Sequence, residues 1–177
     1  MTDTVIRPVQ PGMLNTLVQL EQQTYTETFG HVYQAEDLDT FLREKKSPAA
    51  LQRELAQAGT LYYLLYYGET PAGFLKLNLH KQPDDEARTL LPTPVMELEK
   101  IYVLQSLQGH KLGKALMQQA YAVAQEHHIK TLWLGVWEHN SRAFNFYRRE
   151  GFEQFSEHSF WVGMQRDTDW LMKKVMC

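Results

Sequence analysis

The chain has 177 residues, of which 44% are hydrophobic and 22% charged, and this composition predicts one folded domain over residues 1–177 rather than a disordered protein. Its formal net charge of −3 argues against general affinity for nucleic acid, which needs a basic surface. Because Cys177 is the only cysteine and no apolar run is long enough to cross a bilayer, we expect no internal disulfide, no membrane association and a cytoplasmic location.

The first half of the chain is predicted to contain a short strand, three helices and a β-hairpin. The strand is expected at 5–9, the first two helices at 14–23 and 37–45, and the hairpin strands at 61–67 and 72–79. Ser47 and Pro48 favour the start of the third helix, since Ser caps a helix and Pro suits its first turn, and Gly59 stops it. Residues 24–33 are rich in Thr, Tyr and Phe without a clear period, so we predict a loop that either lines a pocket or covers the sheet edge.

The second half alternates strands with helices and ends in two further strands. We expect an exposed loop at 80–94, a central strand at 95–104, a helix from 111 to about 128, a strand at 131–137, a helix at 142–150, and strands at 152–161 and 170–176 joined by a polar loop at 163–169. The strand at 131–137 is almost wholly apolar, as expected for burial on both faces. This order predicts an α+β fold with a mixed, mostly antiparallel sheet of about seven strands flanked by helices.

Residues 98–113, LEKIYVLQSLQGHKLG, combine the end of the central strand, a glycine-containing loop and the start of the long helix. A helix N-terminus offers unpaired N–H groups and partial positive charge to an anion, and Gly109 and Gly113 leave room beside the backbone. Lys111 and Lys114 add positive charge. We interpret this stretch as a pyrophosphate cradle. The alternative is that the glycines serve only a tight turn or close packing; neither a Walker A loop nor a G-x-G-x-x-G fingerprint is present.

A second stretch, residues 140–152, reads NSRAFNFYRREGF. On a helix, Ala143 and Tyr147 share a face, with Asn140 at its N-terminal end. If the apolar strand lies beside the central strand, a gap between their ends exposes backbone polar groups. An extended ligand that carries amide groups can pair with them.

Together these stretches resemble the GNAT superfamily of N-acetyltransferases. Residues 108–113 are similar to its Q/R-x-x-G-x-G/A motif for acetyl-CoA, with Lys111 at the first glycine and Gly113 at the second. We expect Lys111 to be tolerated there because L-residues already adopt helical φ and ψ angles at a helix start. Residues 140–152 are similar to the superfamily's N-x-x-A-x-x-F-Y-x-K/R-x-G-F run at every defined position.

A narrower resemblance extends to the C-terminus. The segments LEKIYVL, WLGVWEHNSRAFNFYRREGF and FWVGMQRDTDWLMKK are similar to bacterial spermidine/spermine acetyltransferases of the PaiA type. The resemblance implies an α/β sandwich splayed between 95–104 and 131–137, acetyl-CoA as co-substrate, and acetyl transfer to a primary amine of a small molecule such as a polyamine. The residues it implies for acetyl-CoA binding are Ile101, Tyr102, Val103, Gln108, Gly109, His110, Lys111, Leu112, Gly113, Lys114, Asn140, Ala143, Tyr147 and Arg149.

Catalysis by such a protein needs an acid and a base. Tyr147 matches the family position that protonates the leaving thiolate; the alternative is a core tyrosine bonded to the backbone. Glu97 and Glu99 share a face of the central strand, and one of them is the favoured base, orienting a water against the amine, unless they are an exposed acid pair. His31 and His158 are less favoured bases.

Other features leave alternatives open. Arg149 either reaches the 3′-phosphate of coenzyme A or lies free on the surface. The histidines lack metal-ligand spacing, so we predict no metal. Acids near residues 24–33 are compatible with a polycation or are simply solvated; they are Glu21, Glu27, Glu36, Asp37 and Asp39. Aromatic residues of the last strands form a homodimer face or complete the core; they are Phe155, Phe160, Trp161 and Trp170.

Three functions therefore compete. The favoured one is an acetyl-CoA-dependent N-acetyltransferase that acts on a small-molecule amine. A protein, peptide or amino-acid N-acetyltransferase differs only in its acceptor. A non-catalytic regulator that binds acetyl-CoA is the third, and the presence of Tyr147 and Asn140 argues against it.

Overall fold

Seven strands and five helices make up the computed structural model, which describes residues 1–177. The strands are β1 (Thr4–Pro8), β2 (Thr60–Tyr67), β3 (Thr70–Leu79), β4 (Val95–Val103), β5 (Thr131–Trp137), β6 (Glu153–Val162) and β7 (Gln165–Val175). The helices are α1 (Leu14–Phe29), α2 (Ala35–Lys45), α3 (Pro48–Leu55), α4 (Leu112–Glu126) and α5 (Ser141–Arg149). None of these helices combines the length and the apolar character that a bilayer crossing requires. The predicted α+β class and order of elements are confirmed.

The strands form one sheet in the order β1-β2-β3-β4-β5-β7-β6, in which the β4–β5 pair is parallel and the others are antiparallel. This parallel pair is incomplete: Val95–Leu98 lies opposite Thr131–Leu134, and beyond that point the two strands diverge. On its other side β5 stays paired with β7 as far as Trp137. The predicted splay is therefore confirmed, and the backbone of β4 from 99 to 103 faces an open gap.

The helices cover the two faces of the sheet separately. On one face, Leu116 of α4 and Tyr147 of α5 belong to the main core of 19 buried residues. On the other face, Leu17 of α1 and Leu51 of α3 pack against Phe74 of β3. Because each helical layer buries its own apolar stripe against the sheet, the gap opens toward α4 and α5 on one side and toward α1 on the other.

Helix α1 continues to Phe29 and replaces most of the loop predicted over 24–33. The hydroxyl groups of Thr24 and Thr28 donate to backbone carbonyls one turn earlier, at 2.7 and 2.8 Å. Tyr25 and Phe29 pack in a separate aromatic cluster. The prediction was wrong here because tertiary packing overrides the modest helix propensity of threonine and aromatic residues.

Strand β7 begins earlier than predicted. A polar loop was expected over 163–169, but Gly163 and the residue after it make a tight turn and β7 starts at Gln165. The polar side chains that suggested a loop serve the inward face of the strand; Asp167, for example, is 4% exposed and accepts a hydrogen bond from Tyr33 at 2.6 Å. Because this strand buries polar groups, its sequence lacks the alternation of apolar and polar residues that usually predicts a strand.

The aromatic residues near the C-terminus mostly complete the core. Phe155 and Phe160 pack against two of the buried clusters, and Trp170 meets Phe144 edge to face with ring centroids 5.0 Å apart. Trp161 is the exception, being 64% exposed on the edge strand β6. Dimerisation through this edge stays a prediction.

Candidate functional site

The gap between β4 and β5 opens into a cleft of about 800 Å³ that is lined from both faces of the sheet. The cleft gathers most of the residues predicted for the site; these are Glu99, Ile101, Tyr102, Val103, Gln108, Gly109, Lys111, Leu112, Gly113, Lys114, Asn140, Ala143, Tyr147 and Arg149. Glu97 and His110 do not line it, and of the two less favoured histidines only His31 does. Residues from β4, α4 and α5 therefore converge although they lie far apart in the chain.

Lys111 is the residue that precedes α4, and it adopts a left-handed conformation with φ of 61° and ψ of 20°. The expectation of ordinary helical angles at this position was wrong, because the chain must turn sharply to enter the helix. A side chain costs about 1–2 kcal/mol in this conformation, which glycine adopts without strain. Lys111 makes no capping hydrogen bond, so the N–H groups of the first helical turn remain free for a ligand.

Replacing Lys111 with glycine should raise the free energy of unfolding by about 1 kcal/mol, because relief of the left-handed strain exceeds the added entropy of the unfolded chain. The same change removes a positive charge from the cleft, so affinity for a diphosphate-bearing ligand such as coenzyme A should fall severalfold. Denaturant unfolding and calorimetric titration measure the two effects. Lys111→Ala is the matched control, since it loses the charge and keeps the strain; equal stability of the Gly and Ala variants would contradict the strain argument.

The loop before α4 leaves space for such a ligand. A Cβ placed on Gly109 or Gly113 would meet no atom within 4 Å, and Gly109 has a φ of 94° that favours glycine. The cationic side chains that line the same part of the cleft are Lys111, Lys114, Arg142 and Arg149. Free N–H groups, open space and positive charge together fit the diphosphate of coenzyme A.

Two loop residues have partners within the protein. Gln108 donates to the carbonyl of Val103 at 3.3 Å and accepts from Arg142 at 2.5 Å, which ties the end of β4 to α5. His110 packs against Tyr67 with the two rings tilted and their centroids 5.1 Å apart, outside the cleft. Gln108 thus fixes the loop, and His110 is not brought to the site.

Helix α5 places a phenol in the cleft. Asn140 caps the helix by accepting a hydrogen bond from the backbone N–H of Ala143 at 3.2 Å. Two turns later, Tyr147 is 7% exposed and lines the cleft, and its hydroxyl has no partner within the protein, unlike that of a structural core tyrosine. Burial, with a smaller contribution from Tyr102, raises the pKa of Tyr147. The phenol is therefore protonated at neutral pH and can donate a proton.

Glu99 is the one of the two predicted strand glutamates that reaches the cleft. It occupies a β-bulge in β4 and therefore has no partner residue in β3. A bulge changes the direction of the side chain, which here lines the cleft. Glu99 forms an ion pair with Lys76 and a longer one, at 3.8 Å, with Lys81. Its negative charge is thereby compensated by two lysines before any ligand arrives.

Glu97 points elsewhere. It is 8% exposed, accepts a hydrogen bond from Asn78 at 2.7 Å and pairs with Lys81 at 2.8 Å. Burial and the charge of Glu99 raise the pKa of Glu97, against the opposing effect of Lys81. Glu97 can act on the cleft only through Lys81, which it shares with Glu99.

A buried ionic network lies behind Glu99. The carboxylate of Glu21, one of the acids considered for a polycation, is 0% exposed and pairs with Lys100 at 2.9 Å. Lys100 also pairs with Glu54 at 2.8 Å, and Lys76 joins Glu54, at 2.7 Å, to Glu99. Glu21 thus has a structural role, because its ion pair with Lys100 connects α1 to β4. Through Lys76, the same network fixes the position of Glu99.

The wall on the α1 side contains Tyr25, Glu27 and Phe29, from the stretch that was predicted either to line a pocket or to cover the sheet edge, together with residues that sequence reasoning missed. It is mostly aromatic, made of Tyr25, Phe29, Phe41, Trp137 and Phe160. Two further acids, Glu27 and Asp169, line the same side. Asp169 fell in the predicted loop at 163–169; the alternation of Asp167 and Asp169 just before Trp170 was the only signal of an inward-facing strand position.

Asp169 has an unusual electrostatic environment. Burial raises its pKa to about 7, with smaller contributions from the like charges of Asp167 and Glu138. A carboxyl group that titrates near neutral pH inside a cleft is a candidate for proton transfer.

Three potential ligand residues lie close together near the cleft. Glu138, His139 and Asp167 each place one ligand atom within 4.8 Å of the others. Contacts within the protein account for this closeness, since Tyr33 donates to Asp167 at 2.6 Å and His139 lies 3.5 Å from Glu138. The absence of a metal from the reaction stays a prediction.

Comparison with known proteins supports the resemblance. The model of the acetyltransferase (GNAT) family matches residues 14–152. An uncharacterized N-acetyltransferase from the pepI 3′ region of Lactobacillus delbrueckii subsp. lactis is 36% identical over 176 residues, which are 99% of each chain. A spermidine N(1)-acetyltransferase from Thermoplasma acidophilum is 25% identical over 152 residues, or 84% of this chain and 87% of that protein.

A solved structure shares the fold. The PaiA N-acetyltransferase from Thermoplasma acidophilum in complex with coenzyme A is similar with a TM-score of 0.77 and 23% identity, over 98% of this chain and 99% of that one. At this identity the likeness establishes the fold alone, and what the cleft of this chain binds must be argued from its own residues.

Proposed function

Because the chain belongs to the acetyltransferase (GNAT) family, we propose that it acetylates a primary amine of a small polycation, a polyamine such as spermidine or spermine. Family membership makes the protein an acetyl-CoA-dependent N-acetyltransferase, as the sequence predicted. The proposal concerns the acceptor and the residues that act on it, with residues 1–177 working as one catalytic domain. The name of the Thermoplasma relative, at 25% identity, gives it distant support.

The observation that carries the proposal is the polarity of the cleft. Its α4 and α5 end is cationic and suits a diphosphate, whereas its α1 side carries the acids Glu27, Glu99 and Asp169 among aromatic side chains. A polyamine presents ammonium groups separated by methylene chains. Acids attract the ammonium groups, and aromatic faces accept both cations and methylenes. An acidic peptide or an amino acid lacks this complementarity.

We assign the cofactor side as follows. The N–H groups at the start of α4 hold the diphosphate of acetyl-CoA, and the unpaired edge of β4 at Ile101–Val103 binds its amide chain and the thioester carbonyl. Acetyl-CoA supplies the acetyl group as a thioester. Tyr147 donates a proton to the sulfur that leaves, since its phenol is protonated and free of other partners. Arg149 lines the cleft at an exposed position that suits the 3′-phosphate.

We assign Glu99 to the acceptor side. It lines the cleft at the bulge of β4, and Lys76 and Lys81 fix its direction. From there it holds the amine, directly or through a water, in line with the carbonyl carbon. Glu97 supports it through Lys81.

The proposal predicts at least tenfold higher kcat/KM for spermidine or spermine than for hexylamine, which has one amine and a similar methylene chain, because each buried ion pair with the acceptor contributes more than one kcal/mol. Thiol release from acetyl-CoA across a panel of polyamines, monoamines, amino acids and peptides measures this. A response to peptides alone would make the protein a peptide acetyltransferase. Coenzyme A binding without any turnover would make it a regulator, and either result overturns the proposal.

A further inference from the structure

Asp169 lies in the cleft where β5 has left β4. It is opposite Trp137, the last residue of β5, on the face of the sheet that carries α1. Gly135 of β5 also lines the cleft, and a Cβ built there would lie 3.2 Å from Asp169 Oδ2. A strand interior usually disfavours glycine, so its presence marks a close approach. Gly135 leaves the carboxylate of Asp169 open to the cleft.

Asp169 has no counterion. Its carboxylate makes no hydrogen bond and no ion pair within the protein, whereas Glu99 is bound by two lysines. The titratable groups around it come from several elements. They are Asp167 of β7, Glu138 and His139 after β5, Tyr25 of α1 with Tyr33 after it, Tyr102 of β4 and His158 of β6. None of them is a lysine or arginine. A half-buried carboxylate with acids and phenols around it and no lysine or arginine beside it favours its protonated form.

We propose that Asp169 is the base that accepts the proton of the acceptor ammonium, a role that rests on the proposed function. A proton passes from the ammonium nitrogen to the carboxylate, leaving a neutral amine and a carboxylic acid. The amine lone pair then forms the C–N bond as the C–S bond of the thioester breaks. As the nitrogen becomes an amide it releases a second proton to water, and the departing sulfur takes a proton from Tyr147. Tyr147 then regains a proton from water and Asp169 releases its own to water, so that one proton is released overall.

The positions of the groups match this sequence. Tyr147 stands on the α5 side of the gap and Asp169 on the α1 side, so acid and base reach the reacting carbon from opposite faces of the sheet. Glu99 lines the cleft from β4, on the same α1 side as Asp169. In this proposal Glu99 holds the amine and Asp169 accepts its proton.

The role sets a pH dependence. A base must be deprotonated to work, so activity falls as the pH drops below the pKa of Asp169, which is about 7. At high pH the free amine loses its own proton, and the need for a base disappears. The contribution of Asp169 to the rate is therefore largest near neutral pH.

The test compares Asp169→Asn with the wild type and with Glu157→Gln, which makes the same charge change at an exposed position of β6. We expect Asp169→Asn to lower kcat at least tenfold at pH 7, to move the acidic limb of the kcat/KM profile from near pH 7 to the higher pH at which the amine itself loses its proton, and to approach wild-type turnover near pH 10. Added formate, a small carboxylate, should restore part of the rate. Coenzyme A affinity should stay within about twofold, and the melting temperature at pH 8 should not fall, since an unpaired charge is removed. Glu157→Gln should match the wild type throughout.

The outcomes separate this role from the proposed function. If the wild type acetylates an amine but Asp169→Asn keeps both its rate and its acidic limb, Asp169 is not the base and the proposed function stands. A uniform loss at every pH, without rescue by formate, reduces Asp169 to a positioning residue and also overturns the proposal. If the wild type acetylates no amine in the panel, the proposed function is wrong, and so is the role of Asp169 as its base.

Discussion

Replacing Tyr147 with phenylalanine should lower kcat by roughly 10²-fold or more at neutral pH. The phenol is buried, has no partner within the protein and lines the cleft. Because burial raises its pKa, it is protonated over the whole neutral range and can supply the proton that the leaving thiolate needs. Phenylalanine keeps the ring that packs against Phe146 and Phe152, so only the proton donor is lost.

The measurement is steady-state turnover with the preferred amine, alongside calorimetric binding of coenzyme A. We expect KM for acetyl-CoA and the affinity for coenzyme A to change by less than about threefold, because the lost interaction forms mainly as the C–S bond breaks. Tyr66→Phe, on β2 and outside the cleft, is the matched control. A Tyr147→Phe enzyme with the wild-type rate would remove the phenol from the mechanism, and a large loss of coenzyme affinity would show that its role is in binding.

The residues proposed for the cofactor side could be predicted to meet in one cleft because they are neighbours along the chain. The helix start at Leu112, the cap at Asn140 and the phenol at 147 each belong to a short run in which local spacing fixes the geometry. The exception is Lys111, whose left-handed angles follow from the path of the loop and not from the residue itself. Local sequence motifs thus predict which side chains lie close together. They predict the backbone angles between those residues less well.

The acceptor side was not readable because it is assembled by strand register. Asp169 meets Gly135 only because β5 pairs with β7, and the bulge that turns Glu99 toward the cleft exists only where β4 meets β3. Glu97 and Glu99 look alike in the sequence, two positions apart, yet just one of them lines the cleft. Long-range pairing, rather than propensity, decides which carboxylates reach the cleft.

Replacing Lys100 with methionine should lower the free energy of unfolding by about 3 kcal/mol, since it removes a shared cation from a buried network and leaves Glu21 with Lys46 alone and Glu54 with Lys76 alone. Lys100 contacts Glu21, whose carboxylate is 0% exposed, and Glu54, at 2.9 and 2.8 Å. Burial by itself would lower the pKa of Lys100, but these two acids raise it above its usual value, so the ammonium is charged. Denaturant unfolding at pH 7 measures the loss. Lys81→Met is the matched control, because Lys81 is 48% exposed and its pair with Glu97 should contribute about 1 kcal/mol at most.

The same network predicts how acid unfolds the protein. Burial favours the neutral form of Glu54, but Lys100, Lys76 and Tyr62 outweigh it and lower the pKa of Glu54 to about 2. A carboxyl group with a lowered pKa in the folded state stabilises the fold above its ordinary pKa near 4.5 and loses that contribution as the pH falls toward 2. Without Lys100 the pKa of Glu54 should rise, so the Lys100→Met variant should depend less on pH across this range. If both proteins show the same pH dependence, Lys100 does not hold the pKa of Glu54 down, and the assigned role of Lys100 in the network is wrong.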